Sequence, residues 1–263
     1  MKIISLVSSY RINGNTNTVV SLIEKQLLSS ADKENIALKV ENIQLGHLDI
    51  KTCCGCRVCF DKGEEKCPLK DDLLKIWDKM YQADGILAAS PVYVEDVNGI
   101  MKNWIDRMSF NCHRPAFAGK EVYIVTTSGA GSSNHTIKTI KNAFTTWGIN
   151  FAGSSKFLTG GLMDSDNMKS KYSSEIKNAD DVFLKAVKNT SDQRISLYSL
   201  VTFKVQQKCL QKSARSQETI DYKYWQRKGW LHRDCNYYIP NKASFFKIKF
   251  ARLIGSIVAN FYI

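Results

Sequence analysis

The sequence predicts a doubly wound α/β sandwich with a five-stranded parallel sheet, followed by a helical C-terminal extension. Short apolar segments alternate with amphipathic segments, which is the pattern of consecutive right-handed βαβ units. The loops that follow the apolar segments are rich in Ser, Thr, Asn and Gly. Basic residues are concentrated near the end of the chain, which sets that part apart in composition.

Five segments have the pattern of buried strands: 2–8, 36–45, 85–93, 120–128 and 149–158. Most are continuous apolar runs, whereas 36–45 alternates apolar and polar residues. Pro91 lies near the end of the third segment and has no main-chain N–H. We therefore expect the chain to leave the sheet at Pro91.

Helices are predicted at 19–35, 71–84, 98–110 and 133–148, and the rest of the chain has a helical pattern. The first of these should be capped by Asn15, Thr16 or Asn17. Asp71 and Asp72 would place two acidic residues in the first turn of the second, where they complement the helix dipole. Strands and helices in this order are typical of a flavodoxin-like sandwich, which binds ligands beyond the carboxyl ends of its strands.

Three polar loops should meet at that edge: 8–18, 90–99 and 127–134. The first joins a strand to a helix N-terminus, which favours a monophosphate. It has neither a P-loop Gly-Lys-Ser/Thr nor GxGxxG, so a dinucleotide diphosphate is disfavoured. The second would bring apolar and aromatic side chains to the crevice, and the glycines of the third would let the backbone approach a planar ligand. Each loop alone is equally compatible with an ordinary turn, but three such loops at one edge of a sheet indicate a ligand site.

Cysteines crowd the segment 53–67, here called the cysteine loop. Cys53, Cys56, Cys59 and Cys67 have the spacing C-x2-C-x2-C-x7-C, with Cys54 as a spare thiol. Such a compact run suits an iron–sulfur cluster. A zinc site, which usually pairs two separated C-x2-C knuckles, is less well matched. Disulfide or thiol chemistry and a loop without metal stay open at this point.

Residues 1 to about 160 resemble the flavodoxin-like NAD(P)H-dependent FMN reductase family, and especially its iron–sulfur flavoprotein branch. The motifs that carry the resemblance are SYRINGNT, CCGCRVC…CPLKDD and SPVYVEDVNGIMKNWIDR. The resemblance implies FMN, with the chemistry carried by the flavin and not by a catalytic side chain. The positions that match the family's phosphate motif are Ser9, Arg11, Asn15, Thr16 and Thr18. The positions that match its ring contacts are Pro91, Val92, Tyr93, Ser128, Gly129, Ala130 and Gly131. The four spaced cysteines Cys53, Cys56, Cys59 and Cys67 match the motif for a [4Fe–4S] cluster.

The sequence departs from the family pattern at a few positions. Ser8 stands where Gly is usual, and Tyr10 where Pro is usual. Acidic residues at 95–96 replace small ones and would lower the potential of a nearby flavin. By contrast, Lys102 and Arg107 agree with the family pattern, because they match its K…DR helix.

The sequence therefore predicts an FMN-dependent oxidoreductase that passes electrons to a small acceptor. NAD(P)H or a ferredoxin would be the linked partner, and the resemblance implies a homodimer or tetramer. A non-enzymatic flavodoxin-type electron carrier is the alternative, although such carriers are usually acidic and this chain has a net charge of +12. A metal or redox sensor is a third hypothesis.

The composition divides the chain into residues 1–193 and a basic extension, 194–263. The extension holds 13 Lys and Arg against 3 Asp and Glu, so it carries +10 of the net charge. An anionic partner and a solvated basic face both explain this excess. No nucleic-acid-binding module is visible, so we expect no nucleic-acid partner.

The last segment, 244–263, has a helical apolar stripe: Phe246, Phe250, Leu253, Ile257 and Phe261. Its uncharged part is too short to span a bilayer. Packing or dimerisation through this helix is favoured, with contact to an anionic membrane surface as the alternative. The N-terminus lacks the pattern of a secretory signal, so we expect a cytoplasmic protein.

Overall fold

The computed structural model describes residues 1–190, 195–212 and 219–261. Its strands are β1 (Lys2–Val7), β2 (Lys39–Gln44), β3 (Gly85–Tyr93), β4 (Asp96–Val97), β5 (Glu121–Ser128) and β6 (Asn150–Leu158). Five of them form a parallel sheet in the order β2-β1-β3-β5-β6, and β4 pairs with the end of β3 as a short antiparallel hairpin. The predicted doubly wound sheet is confirmed.

Ten α-helices lie in the described part of the chain. They are α1 (Asn15–Lys33), α2 (Val58–Asp61), α3 (Leu73–Tyr81), α4 (Gly99–Arg107), α5 (Asn134–Thr146), α6 (Ser165–Lys171), α7 (Ser173–Lys188), α8 (Leu197–Lys212), α9 (Ile220–Arg227) and α10 (Phe245–Ala259). The predicted starts of α4 and α5 agree with the structure to within one residue, whereas those of α1 and α3 were wrong by four and two residues. Gly14 is the N-cap of α1, and Asp71 and Asp72 precede α3, where Asp71 bonds to Arg107 instead of lying in the first turn.

Pro91 does not end its strand, so that expectation was wrong. β3 continues to Tyr93, and Pro91 pairs with Thr127 of β5. The pairing of β3 with β1 ends at Ala89, so Pro91 has a neighbouring strand on one side only. A missing N–H is tolerated at such an edge position.

Each face of the sheet is covered by a separate hydrophobic core. One contains Ile76 of α3, Trp104 of α4 and Phe144 of α5. The other contains Ile23 of α1 and Phe183 of α7. Because helices cover both faces, the side chains of the central strand β5 are all buried, and the loops at the strand ends remain accessible to a ligand.

The C-terminal helices α8, α9 and α10 enclose a third, aromatic core. It includes Phe203, Trp225, Trp230 and Tyr238, whose rings contact one another. The predicted boundary at 193/194 lies outside the described residues and stays a prediction. None of the helices described is long and apolar enough to cross a membrane.

Candidate functional site

A cavity of about 170 Å³ lies at the carboxyl ends of β1, β3, β5 and β6. The three predicted loops meet there, together with a fourth loop, 159–162. The predicted flavin-binding residues that line it are Ser9, Arg11, Asn15, Thr16, Pro91, Val92, Tyr93, Ser128 and Gly129. Thr18, Ala130 and Gly131 do not line it, and the role of every predicted residue stays a prediction. We call this space the strand-end cavity.

One end of the strand-end cavity is the N-terminus of α1. Its N-cap, Gly14, has no side chain to satisfy the first N–H groups of the helix. The carbonyl of Arg11 accepts from the Gly14 N–H at 3.1 Å and from Nδ2 of Asn17 at 2.8 Å, which closes the loop into a turn. The Thr16 and Thr127 hydroxyls bond to each other at 2.6 Å. An uncapped helix start that faces a polar cavity fits a phosphate group.

The fourth loop, which the sequence reasoning missed, is held by Asn15. Asn15 Nδ2 donates to Thr159 Oγ1 at 2.7 Å and to the Gly161 carbonyl at 2.6 Å, while its Oδ1 accepts from the Met163 N–H at 2.9 Å. The side chain of Asn15 is therefore committed to the loop after β6, which leaves its main-chain N–H for a ligand. The Gly-Gly pair directly after the last apolar strand was the signal that could have revealed this loop.

The opposite wall is formed by the hairpin between β3 and β4. Val94 and Glu95 form its two-residue turn with φ of 50° and 62°, a left-handed conformation that is costly for a β-branched residue. The turn leaves Tyr93 54% exposed beside Val92 and Pro91 at the cavity. A half-exposed apolar and aromatic wall beside main-chain groups fits a flat flavin ring.

The five cysteines of the cysteine loop line a second cavity, of about 130 Å³. Phe60, Leu69, Leu73 and Phe110 supply its apolar side chains. Burial raises the pKa of the Cys59 thiol, and the nearby Cys67 and Cys53 raise it further. No group of three His, Cys, Asp or Glu in the described ranges is arranged to hold a metal ion. Cys53, Cys54 and Cys56 are exposed, and Cys59 and Cys67 are half-buried. Several thiols around one cavity are nevertheless the donor type that iron–sulfur clusters use.

Arg107 of α4 bonds to the segments that precede and follow the cysteine loop. It donates to the carbonyl of Lys51 at 2.6 Å and from Nη2 to Oδ1 of Asp71 at 3.2 Å, and Nη2 lies 3.9 Å from Sγ of Cys67. Burial alone would raise the pKa of Asp71, but hydrogen bonds from Arg107 and from main-chain N–H groups lower it below its usual value. Asp71 is thus held as a carboxylate and Arg107 places a cation beside the thiols.

Arg114 connects the cysteine loop to the C-terminal helices. Its Nη2 donates to the Cys59 carbonyl at 2.6 Å and to Glu64 at 2.8 Å, and its Nη1 donates to Asp221 of α9. His113 bonds to the same Asp221 carboxylate at 2.7 Å. Arg114 is buried, so the C-terminal extension and the cysteine loop are joined by one inaccessible cation.

Residues 1–164 match the family model of the NADPH-dependent FMN reductases. The chain belongs to this family. Within it, the chain falls in the iron–sulfur flavoprotein branch, and the protein is an FMN-dependent oxidoreductase.

Two relatives illustrate the place of the chain in the FMN reductase family. An iron-sulfur flavoprotein of Archaeoglobus fulgidus is 30% identical over 236 residues, which are 88% of this chain and 100% of the relative. An iron-sulfur flavoprotein of Methanocaldococcus jannaschii is 37% identical over 107 residues, 41% of this chain and 51% of that protein. The first alignment includes most of the chain, so the similarity extends beyond the part that the family model matches.

Several solved structures share the fold of this protein. FerB, the flavoenzyme NAD(P)H:(acceptor) oxidoreductase of Paracoccus denitrificans, superposes with a TM-score of 0.51 at 18% identity, over 72% of this chain and 98% of FerB. A flavone reductase superposes with a TM-score of 0.55 at 16% identity, over 74% of this chain and 66% of that one. At these identities the likeness concerns the fold alone.

Proposed function

We propose that the protein takes electrons from NAD(P)H or a ferredoxin and passes them to a small acceptor, with FMN in the strand-end cavity and a [4Fe–4S] cluster on the cysteine loop. The observation that carries the proposal is the pair of cavities: one combines an uncapped helix start with an aromatic wall, and the other is lined by five cysteines. FMN accepts a hydride or two electrons and can release them singly.

The chain's own residues would bind and orient the flavin. The N–H groups at the start of α1 would hold the phosphate. The Ser9 hydroxyl, which donates to the Arg11 carbonyl at 3.2 Å, would turn to the phosphate when it binds. Tyr93 and Val92 would cover one side of the ring, and Ser128 and Gly129 would supply main-chain groups at its edge. Ser128 Oγ donates to the Gly131 carbonyl at 2.6 Å, which fixes that loop before any ligand binds.

The ligands of the proposed cluster are Cys53, Cys56, Cys59 and Cys67. A [4Fe–4S] cluster transfers single electrons, and four thiolates carry negative charge that a nearby cation offsets. Arg107 supplies such a cation at Cys67, and the Arg114 contact with the Cys59 carbonyl holds the loop in place. The protein's part would be to keep these thiols together around one cavity.

The experiment is anaerobic purification of the full chain, followed by an absorbance spectrum and by iron and sulfide assays. We expect flavin bands with about four iron and four sulfide per chain. Cys59→Ser and Cys67→Ser should lose the iron and keep the flavin. Cys54→Ser is the matched control, because Cys54 lies in the same loop but is not one of the four motif cysteines. This variant should keep both the iron and the flavin.

Each result decides one part of the proposal. Flavin without iron would remove the cluster and leave an FMN reductase with unmetallated thiols. Iron loss in Cys54→Ser equal to that in Cys59→Ser would overturn the ligand assignment. NADH or NADPH oxidation with a quinone acceptor, measured on the same preparation, tests the nicotinamide link separately.

A further inference from the structure

The outer face of α10 is an apolar surface open to solvent. Four of its large side chains and Phe261, just after the helix, recur at intervals of three or four residues and therefore lie on one side. They are between 52% and 84% exposed: Phe246, Phe250, Leu253, Ile257 and Phe261. We call these five side chains the apolar stripe. From Phe246 to Ile257 it extends for roughly 16 Å along the helix axis. A contiguous patch of this kind is typical of a binding surface.

The orientation of α10 is fixed by its packing on α8. Its inner face carries the small residues Ala251, Gly255 and Ala259, all buried. A Cβ placed on Gly255 would lie 2.7 Å from Cβ of Lys204, so the two helices are in close contact there. Lys212 Nζ also donates to Asn260 Oδ1 at 2.7 Å. The helix therefore cannot turn the apolar stripe inward without losing this packing.

The charges around the apolar stripe indicate which kind of partner it binds. The sequence has no Asp or Glu after Asp234, and it has four Lys or Arg in that stretch. At 100° per residue, Lys247 and Lys249 lie on opposite sides of the stripe. Lys249 Nζ sits 4.3 Å from the centre of the Phe245 ring, and Lys247 Nζ donates to the Ile195 carbonyl at 2.6 Å. A second copy would bring two such sets of cations together, whereas an anionic surface would complement them.

We propose that α10 attaches the protein to the surface of an anionic lipid bilayer. The helix would lie in the plane of the membrane, with the apolar stripe at the boundary between headgroups and acyl chains and the exposed Lys249 at the anionic headgroups. The rest of the protein stays in water because α10 is bound to it by the opposite face. The inference is independent of the flavin chemistry proposed above.

The test is sedimentation of the full chain with vesicles. We expect binding to vesicles of equal parts phosphatidylglycerol and phosphatidylcholine, weak binding to phosphatidylcholine alone, and loss of binding between about 0.1 M and about 1 M salt. The double variant Phe250→Glu/Ile257→Glu should bind at least about tenfold more weakly, since two acidic groups enter the apolar boundary. Leu28→Glu on α1 introduces one such acidic group at an exposed residue elsewhere and should bind like the wild type. Phe250→Glu alone, which adds the same single charge on the apolar stripe, should bind more weakly than Leu28→Glu.

Three results would overturn the proposal. In the first, the wild type stays in the supernatant with anionic vesicles. In the second, the double variant binds as well as the wild type while its circular dichroism and melting temperature are unchanged. In the third, without lipid, sedimentation velocity gives a dimer for the wild type and a monomer for the double variant, which would assign the apolar stripe to a second copy.

Discussion

Arg107 and Asp71 form an ion pair directly beneath the cysteine loop, with side chains only 2% and 1% exposed. The pair joins α4 to the segment that follows Cys67, and Arg107 also holds the carbonyl of Lys51 on the other side of the loop. The segments that flank the cysteine loop on both sides are therefore bonded to one guanidinium.

Replacing Arg107 by Gln should leave the Asp71 carboxylate buried without its cation. We expect a loss of about 3–5 kcal/mol in the free energy of unfolding, measured by urea denaturation. The matched control is Lys102→Gln on the same helix, because its pair with Asp106 is half-exposed, and it should cost no more than about 1 kcal/mol. Equal effects of the two variants would contradict a structural role for the buried pair.

Replacing Arg114 by Ala should loosen two distant segments together. Hydrogen exchange should accelerate both in the cysteine loop and in α9, because the same guanidinium bonds to Cys59, Glu64 and Asp221. Arg57→Ala is the control, since Arg57 lies in the same loop but pairs with Asp61 in an exposed position. Faster exchange in only one of the two segments would show that Arg114 does not couple them.

Replacing Asn15 by Ala should weaken FMN binding by about tenfold or more, because the loop 159–162 and the following Met163 lose three hydrogen bonds. The measurement is quenching of flavin fluorescence during titration of the flavin-free protein. Thr18→Ala is the comparison: its hydroxyl donates to the Gly14 carbonyl at 3.3 Å and does not line the strand-end cavity. An equal loss in Thr18→Ala would mean that Thr18 reaches the phosphate, as the family resemblance implies.

Replacing Val94 by Asn should stabilise the protein. Val94 is fully exposed and has a φ of 50°, so the valine gains nothing from packing and its backbone is strained. Asn adopts this conformation more readily, and the free energy of unfolding should rise by roughly 1 kcal/mol. Glu95→Gln, which changes charge but not backbone preference, should leave the stability unchanged. A destabilised Val94→Asn would show that the hairpin carries no such strain.

Lys204 should make stability depend on pH in the alkaline range. Burial, together with the nearby cations Arg252 and Lys208, lowers the pKa of Lys204 to about 8 from 10.5. The folded protein thus releases this proton near pH 8 while the unfolded chain keeps it until about pH 10.5.

Unfolded chains therefore bind more protons within that window, so the contribution of Lys204 to stability rises as the pH increases through it. Relative to Lys204→Met, the wild type should gain about 3 kcal/mol between these limits. Urea denaturation of both proteins at pH 7.5 and at higher pH measures the difference in slope. Parallel profiles would show that Lys204 is ionised normally in the folded state.

Much of the fold could be predicted because its signals are local. The apolar runs identified the five parallel strands, and the polar loops after them identified three sides of the strand-end cavity. Helix starts were less predictable: a side-chain oxygen is the usual N-cap, yet Gly14 occupies that position in α1. The prediction at Pro91 was wrong because a proline ends a strand only where its missing N–H is needed by a neighbouring strand. Which strands lie beside Pro91 depends on the order of the whole sheet.

The sequence by itself determined the order of the five parallel strands along the chain, the family and most of the residues near the proposed cofactors. Only the tertiary structure decided that Asn15 holds the loop after β6, 144 residues away, and that Arg114 reaches Asp221, 107 residues away. Helical periodicity likewise predicted the apolar stripe, but not that it faces solvent. Which face of α10 is exposed depends on close packing. The small residues of α10 fit against α8, where Phe and Leu side chains would not fit. The face with the large apolar side chains therefore faces solvent.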